Sequence, residues 1–213
     1  MNKPPFITFE GGEGAGKTTQ IKQLKSWLEE QGKTVITTRE PGGTSGAEDI
    51  RNLIVQPREY QWDAETDALL LMAARRDHLV HKIWPAMKRG EWILSDRFVE
   101  STYAYQCFGR GMDLQKARDL YRFIAEDFKP DLTFILDIDP RAGLDRVMAG
   151  TTDRNHAELR FENYDFSFHE KLRAGYHELA AASPKQFIII DASGDRETIQ
   201  TQLRAEVQKR FLS

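Results

Sequence analysis

Phe6-Ile7-Thr8-Phe9-Glu10 runs directly into Gly11-Gly12-Glu13-Gly14-Ala15-Gly16-Lys17-Thr18-Thr19. The first five residues form a short, mostly apolar run of the kind that a buried strand needs. From Gly11 to Thr18 the chain then satisfies the pattern G-x-x-x-x-G-K-[S/T] and opens a helix. Glycines at these positions let backbone N–H groups converge on an anion, and the helix start adds its positive dipole end. In such a loop Lys17 neutralises charge between the β- and γ-phosphates of a nucleotide, and the Thr18 hydroxyl is placed for Mg²⁺. Gly11, Gly12, Glu13, Gly14, Ala15, Gly16, Lys17, Thr18 and, with weaker claims, Thr19 are the candidate residues for the phosphate donor.

Outward from this stretch, short apolar runs alternate with longer amphipathic ones, which predicts parallel strands joined by crossover helices. Strands are expected at Phe6–Glu10, Thr34–Thr38, Glu91–Ser95, Leu132–Leu136 and Gln186–Ile190. Helices are expected at Lys17–Gln31, Ala47–Val55, Ala64–Arg89, Val99–Cys107, Leu114–Glu126, Pro140–Ala149, Arg160–Ser183 and Asp195–Phe211. Pro130 and Pro140 bracket the fourth strand, because the residue before a proline avoids helical geometry and a proline in a helix's first turn gives up no needed donor. Gly150–Leu159, rich in Thr, Asp, Asn and Arg between two helical patterns, reads as a covering loop. The expected fold is therefore α/β, with a five-stranded parallel sheet, helices on both faces and a short lid.

The 213 residues suit one domain, 1–213, rather than two with separate cores. A net charge of −3 provides no broad basic field for a nucleic-acid polymer or an anionic membrane, so anions must be met by local arginines. Cys107 is the only cysteine, which excludes an intrachain disulfide and a four-cysteine zinc site. With no signal-like apolar stretch near Met1, the expected location is the cytoplasm.

A phosphate-binding loop fixes nucleotide binding but not the reaction. A guanine-specific Asn-Lys-x-Asp segment is missing, and the chain is short for a motor. In an open α/β sheet, ligands bind beyond the carboxyl ends of the strands. The second strand runs out into Arg39-Glu40-Pro41-Gly42-Gly43-Thr44 and the third into Asp96-Arg97. Two guanidinium groups there can grip a second phosphate, which a nucleotide-dependent switch without an acceptor does not need.

GGEGAGKTT (11–19), TREPGGT (38–44), LLLMAARRDHLV (69–80), DRFVESTYAYQ (96–106) and LDIDPRAGLDR (136–146) resemble, in order and spacing, the motifs of bacterial thymidylate kinases. The resemblance implies the P-loop kinase fold, transfer of a phosphoryl group from ATP to dTMP with Mg²⁺, and a homodimer. It implies that Arg39 and Arg97, helped by Arg51, hold the dTMP phosphate. Arg75, Thr102 and Gln106 would read the polar edge of thymine, with Ser101 beside them, and Tyr105 would lie against the deoxyribose. Glu13 and Asp96 would organise water, Mg²⁺ and the acceptor end. Where the family places a phenylalanine against thymine this chain has Leu71, which offers an apolar face but no ring for stacking.

Family members draw a further catalytic arginine either from the loop or from the lid. Gly14 and Ala15 leave none in the loop, so the resemblance points to Arg160 or Arg154, with Arg146 a weaker third. Arg160 is favoured because Arg160-Phe161-Glu162 followed by Phe168-His169-Glu170 is similar to the family's junction between lid and helix. On residue pattern alone, plainer roles stay open. Arg75 beside Arg76 fits a solvated helix face, Tyr105 fits core packing, and Asp137 fits a helix cap before Pro140.

Overall fold

The computed structural model describes residues 3–56, 59–126, 128–149 and 165–212. Five strands, β1 (Phe6–Glu10), β2 (Val35–Arg39), β3 (Trp92–Asp96), β4 (Leu132–Asp137) and β5 (Phe187–Asp191), form one parallel sheet in the order β2-β3-β1-β4-β5. All five expected strands are present, displaced by no more than a residue at either end. β1 lies at the centre and its two neighbours lead away in opposite directions, so the loop after it opens into the crevice where a ligand can enter.

β1 is buried along its whole length, and its side chains alternate between two helical layers. Ile7 and Phe9 pack with Ile21, Leu24 and Leu28 of α1 (Lys17–Glu30) and with Ile199, Leu203 and Val207 of α9 (Arg196–Val207). Phe6 faces the opposite layer, built from α3 (Ala64–His78), α4 (Trp84–Lys88), α5 (Val99–Thr102) and α6 (Leu114–Ala125). α8 (Phe166–Ala182) covers β4 and β5 on that side through Phe168, Leu172 and Tyr176. α2 (Ser45–Val55) packs on α3, and α7 (Pro140–Ala149) follows β4.

Three expected helices are not uniform, one of them Asp195–Phe211, which runs as α9 and then widens into a π segment at Gln208–Leu212. Ala64–Arg89 divides into α3, a wide π turn at Leu79–Ile83, and α4, which starts with Pro85 in its first turn. Proline supplies no N–H and so cannot continue the regular bonding of the preceding turns. Val99–Cys107 starts as α5 and widens into a π segment at Tyr103–Gly109. Of the helix expected at Arg160–Ser183, Phe166–Ala182 is present, and 160–164 lie outside the described residues. Asp137 does not cap α7: Asp139 accepts from Arg141 N and Ala142 N at 3.0 and 3.2 Å, while Asp137 is held by Arg173. No described helix is long and apolar enough to cross a membrane.

Candidate active site

Beyond the carboxyl ends of β1, β2 and β3 lies a cleft of about 1440 Å³. Its wall carries Glu13 to Thr19 of the glycine loop together with Arg39, Arg51, Leu71, Arg75, Asp96, Arg97, Ser101, Thr102, Tyr105 and Gln106. Every described residue expected at the donor or acceptor site therefore meets in one space, save Gly11 and Gly12 at the loop's base. Arg154 and Arg160 lie outside the described residues.

The glycine loop owes its shape to positive backbone angles at Gly11 (φ 132°), Gly14 (69°) and Gly16 (84°). Gly11 is also pressed against β4, where a Cβ would lie 2.3 Å from the Leu136 carbonyl oxygen. No side chain caps α1, unlike α2, α3, α6 and α9, which are capped by Thr44, Asp63, Asp113 and Asp195. The first N–H groups of α1 thus stay available to an anion. Lys17 Nζ donates to the Gly11 and Gly12 carbonyls, each at 3.1 Å, which folds the side chain back over the loop. Burial and then the neighbouring Arg97 lower its pKa, as expected for an ammonium awaiting negative charge. Thr18 Oγ1 donates to Asp96 Oδ2 at 2.9 Å.

Arg97 takes a left-handed backbone (φ 70°), unusual for a residue with a side chain, and its N–H to Phe9 O bond holds the turn at 2.9 Å. Its Nη2 donates to Glu13 Oε1 at 3.0 Å, and its Nη1 reaches Gly11 O, Ser101 Oγ and Tyr176 OH at 3.3, 3.2 and 3.4 Å. The guanidinium lies 5.1 Å from the centre of the Tyr105 ring, whose hydroxyl donates to the same Glu13 oxygen at 2.6 Å. Burial would raise the pKa of Glu13, but Arg97 and Lys17 outweigh it and hold the carboxyl below its ordinary value. Tyr105 is thus a cleft residue and a core residue at once.

Arg39 is half exposed, and its Nη2 donates to both Glu48 oxygens, at 3.0 and 2.9 Å. Glu48 also accepts from the Gly43 N–H at 2.8 Å, and Arg51 Nη1 donates to Pro41 O at 3.0 Å. Arg39 and the Gly43 N–H thus already hold a carboxylate, an anion recognised by the same types of donor as phosphate. Arg75 contradicts the solvated-face alternative. It is 3% exposed and donates to Glu40 Oε2 (2.7 Å), Thr102 Oγ1 (3.2 Å), Phe98 O (3.1 Å) and Met72 Sδ (3.3 Å). Gln106 is buried, and its Oε1 has no hydrogen-bond partner among the described residues. Arg146 donates to the Ala192 and Ser193 carbonyls just beyond β5, at 2.9 and 3.1 Å.

A sequence model of the family described as Thymidylate kinase matches residues 9–203. The chain belongs to the thymidylate kinase family. It is 42% identical over 204 residues to the thymidylate kinase of Marinomonas sp. (strain MWYL1), covering 96% of this chain and 94% of the other. With the thymidylate kinase of Jannaschia sp. (strain CCS1) it shares 44% identity over 208 residues, 98% of each chain. The crystal structure of thymidylate kinase from Ehrlichia chaffeensis is similar in fold, with a TM-score of 0.77 and 30% identity over 97% of this chain and all of that one.

Beneath and around this thymidylate kinase cleft several residues escaped the sequence reading. Glu10 is fully buried and accepts from Phe98 N (2.7 Å), Ser101 Oγ (2.6 Å) and Tyr176 OH (2.9 Å), and burial raises its pKa against the opposing pull of Arg97. Its signal was there: a lone carboxylate in an apolar strand, in phase with Phe6 and Thr8. Tyr176 gave none, since it follows Phe168 and Leu172 at helical spacing and reads as core. Glu40, Glu48 and Lys82 line the cleft itself.

Proposed function

We infer that this chain transfers the terminal phosphoryl group of ATP to dTMP, giving dTDP and ADP. The observation that carries this reading is one cleft lined both by a phosphate-binding loop and by two strand-end arginines, Arg39 and Arg97. A donor site alone has no use for the second cationic group.

The acceptor phosphate monoester has a second pKa of about 6 and is largely dianionic near neutral pH, so no strong general base is required. Catalysis rests on bringing two anions into line and neutralising their repulsion. Lys17 and the N–H groups at the start of α1 serve the donor phosphates. Arg97, Arg39 and Arg51 serve the acceptor phosphate, with Arg97 fixed by Glu13, Ser101 and Tyr176 before substrate arrives. Tyr105 lies against the deoxyribose. Arg75, Thr102 and Gln106 meet the polar edge of thymine, and Leu71 covers its face. Arg160, or else Arg154, supplies the last positive charge.

The Thr18 hydroxyl and the Asp96 carboxylate, already in contact, are hard oxygen donors of the kind Mg²⁺ accepts alongside phosphate oxygens. Magnesium, when bound there, adds charge neutralisation between the phosphates. Leu53 of α2, Leu69 of α3 and Phe123 of α6 are 46, 54 and 87% exposed, on helices of which α3 packs against both others, which favours a homodimer. A single cysteine, buried and with its thiol pKa pushed up to about 11 by that burial, suits a cytoplasmic location.

The test is a phosphorylation assay with ATP and Mg²⁺ across dTMP, dUMP, dCMP, AMP and thymidine. dTMP is expected to give the highest kcat/KM, and Arg97→Ala to abolish most of it. ADP release that does not respond to any acceptor would overturn the reading.

A further inference from the structure

Along the inner wall of the cleft runs a chain of buried hydrogen bonds that the phosphate chemistry does not use. Thr38 Oγ1 lies 2.6 Å from His78 Nε2, and His78 Nδ1 lies 2.9 Å from Glu40 Oε1. The other Glu40 oxygen accepts from Arg75 Nε at 2.7 Å, and Arg75 continues to Thr102 at 3.2 Å. His78 is fully buried, and Thr38, Glu40, Arg75 and Thr102 are 9, 5, 3 and 1% exposed. An ionised carboxylate only accepts, so the ring nitrogen facing Glu40 carries a hydrogen. Burial alone would raise the pKa of Glu40, but Arg75 and His78 together hold it below its ordinary value. The loop after β2 closes over the ring so tightly that a Cβ on Gly43 would lie 2.7 Å from His78 Nε2.

A guanidinium has five N–H groups. Glu40 takes the one on Nε of Arg75, Met72 and Thr102 take Nη1, and the Phe98 carbonyl takes one on Nη2. Among the described residues one N–H is left uncommitted, on a side chain that lines the cleft. One fixed donor matches a carbonyl oxygen and opposes an amino group.

We propose that His78 and Glu40 are positioning residues that lock the Arg75 guanidinium in the one orientation in which its remaining N–H can meet the acceptor base. The proposal rests on the reading of Arg75 as a base contact.

The test is steady-state kinetics with ATP, dTMP and dCMP on Glu40→Gln, His78→Ala, His78→Asn and Arg75→Ala, with Tm recorded for each. Glu40→Gln sets an amide donor against one of two donors, and His78→Ala frees one carboxylate oxygen. Both are expected to raise the KM for dTMP about tenfold, the scale of one misaligned hydrogen bond, to leave the KM for ATP within about twofold, and to narrow the preference for dTMP over dCMP. His78→Asn, whose amide nitrogen can stand in for Nδ1, should restore most of the loss. Should His78→Ala fail to fold, Thr38→Val, which removes only a hydroxyl, is expected to shift KM and preference in the same direction by a smaller factor. Unchanged KM and preference in Glu40→Gln, beside a raised KM in Arg75→Ala, overturns the proposal but keeps the base contact. Loss of both KM values and Tm together, with the preference intact, also overturns it by assigning a purely structural role. An unchanged KM for dTMP in Arg75→Ala removes the base contact itself, and the proposal with it.

Discussion

The Thr18 hydroxyl and the Asp96 carboxylate, separated by 78 residues in sequence, meet at 2.9 Å where α1 begins and β3 ends. This contact joins the donor loop to the strand that carries Arg97 into the cleft. Thr18→Ala and Asp96→Asn are each expected to lower kcat by about 10²-fold, the scale of one lost electrostatic group in an active site. Thr18→Ser should recover most of the activity. Chelation with EDTA is expected to abolish turnover and added Mg²⁺ to restore it, as read from ADP release. Activity that survives chelation would contradict the assignment of this pair.

Replacement of Arg160 by alanine is expected to lower kcat about 10³-fold, the contribution of a catalytic arginine in phosphoryl transfer, with little effect on the KM for dTMP. Arg154→Ala should cost less than about tenfold on the same scale. The reverse ordering would move the role to Arg154.

Glu100 is 4% exposed, and one carboxyl oxygen has no hydrogen-bond partner among the described residues. Burial, reinforced by the Glu10 carboxylate, pushes its pKa from 4.5 up to about 8. The folded state therefore holds a proton that the unfolded chain has released. Stability from this group is complete below pH 4.5 and is lost as the pH rises to about 8, with a slope of at most about 1.4 kcal/mol per pH unit. In thermal unfolding from pH 5 to 9, the Tm of Glu100→Gln should gain on that of the unaltered protein until about pH 8 and then run parallel to it. A constant difference across the range would show that Glu100 titrates normally.

Phe123, 87% exposed on α6, is the side chain best placed to report an interface between two copies, being the most exposed large apolar side chain among the described residues. The chain is expected to sediment as a dimer, and Phe123→Asp to shift it toward monomer at micromolar concentration, measured by analytical ultracentrifugation. A burial of this size is worth roughly 2 kcal/mol or more per copy, ample to move a dimer equilibrium through that range.

Much of this architecture could be read from the chain because its signals are local. Each strand is a short apolar run closed by glycine, proline or charge, and the loop from Gly11 to Thr18 carries its mechanism in its residue types. Arg39 and Arg97 were legible for a different reason: in a parallel sheet, the carboxyl end of a strand is also the ligand side. What local reading missed were side chains defined by partners far along the chain. His78 sits at a core position of α3 and gains its meaning only from Glu40 and Thr38, which lie 38 and 40 residues earlier. Tyr176 repeats the spacing of Phe168 and Leu172, so nothing in its neighbourhood distinguishes its hydroxyl from packing. The break at Leu79–Ile83 does have a local signal, Pro85 just beyond it, which the reading of one helix over Ala64–Arg89 passes over.

The backbones of the donor loop and of α7 touch without a side chain between them. At Gly14 (φ 69°) a Cβ would stand 2.1 Å from the Gly143 carbonyl oxygen, and at Gly143 one would stand 2.4 Å from that of Glu13. The two positions are therefore bound to a shared evolutionary fate. A lineage with this geometry cannot recruit an arginine at position 14 by a single substitution, because the change strains one backbone and collides with another. Moving the catalytic cation between loop and lid would first demand that α7 retreat, which sets a barrier between the two designs that selection must cross in more than one step.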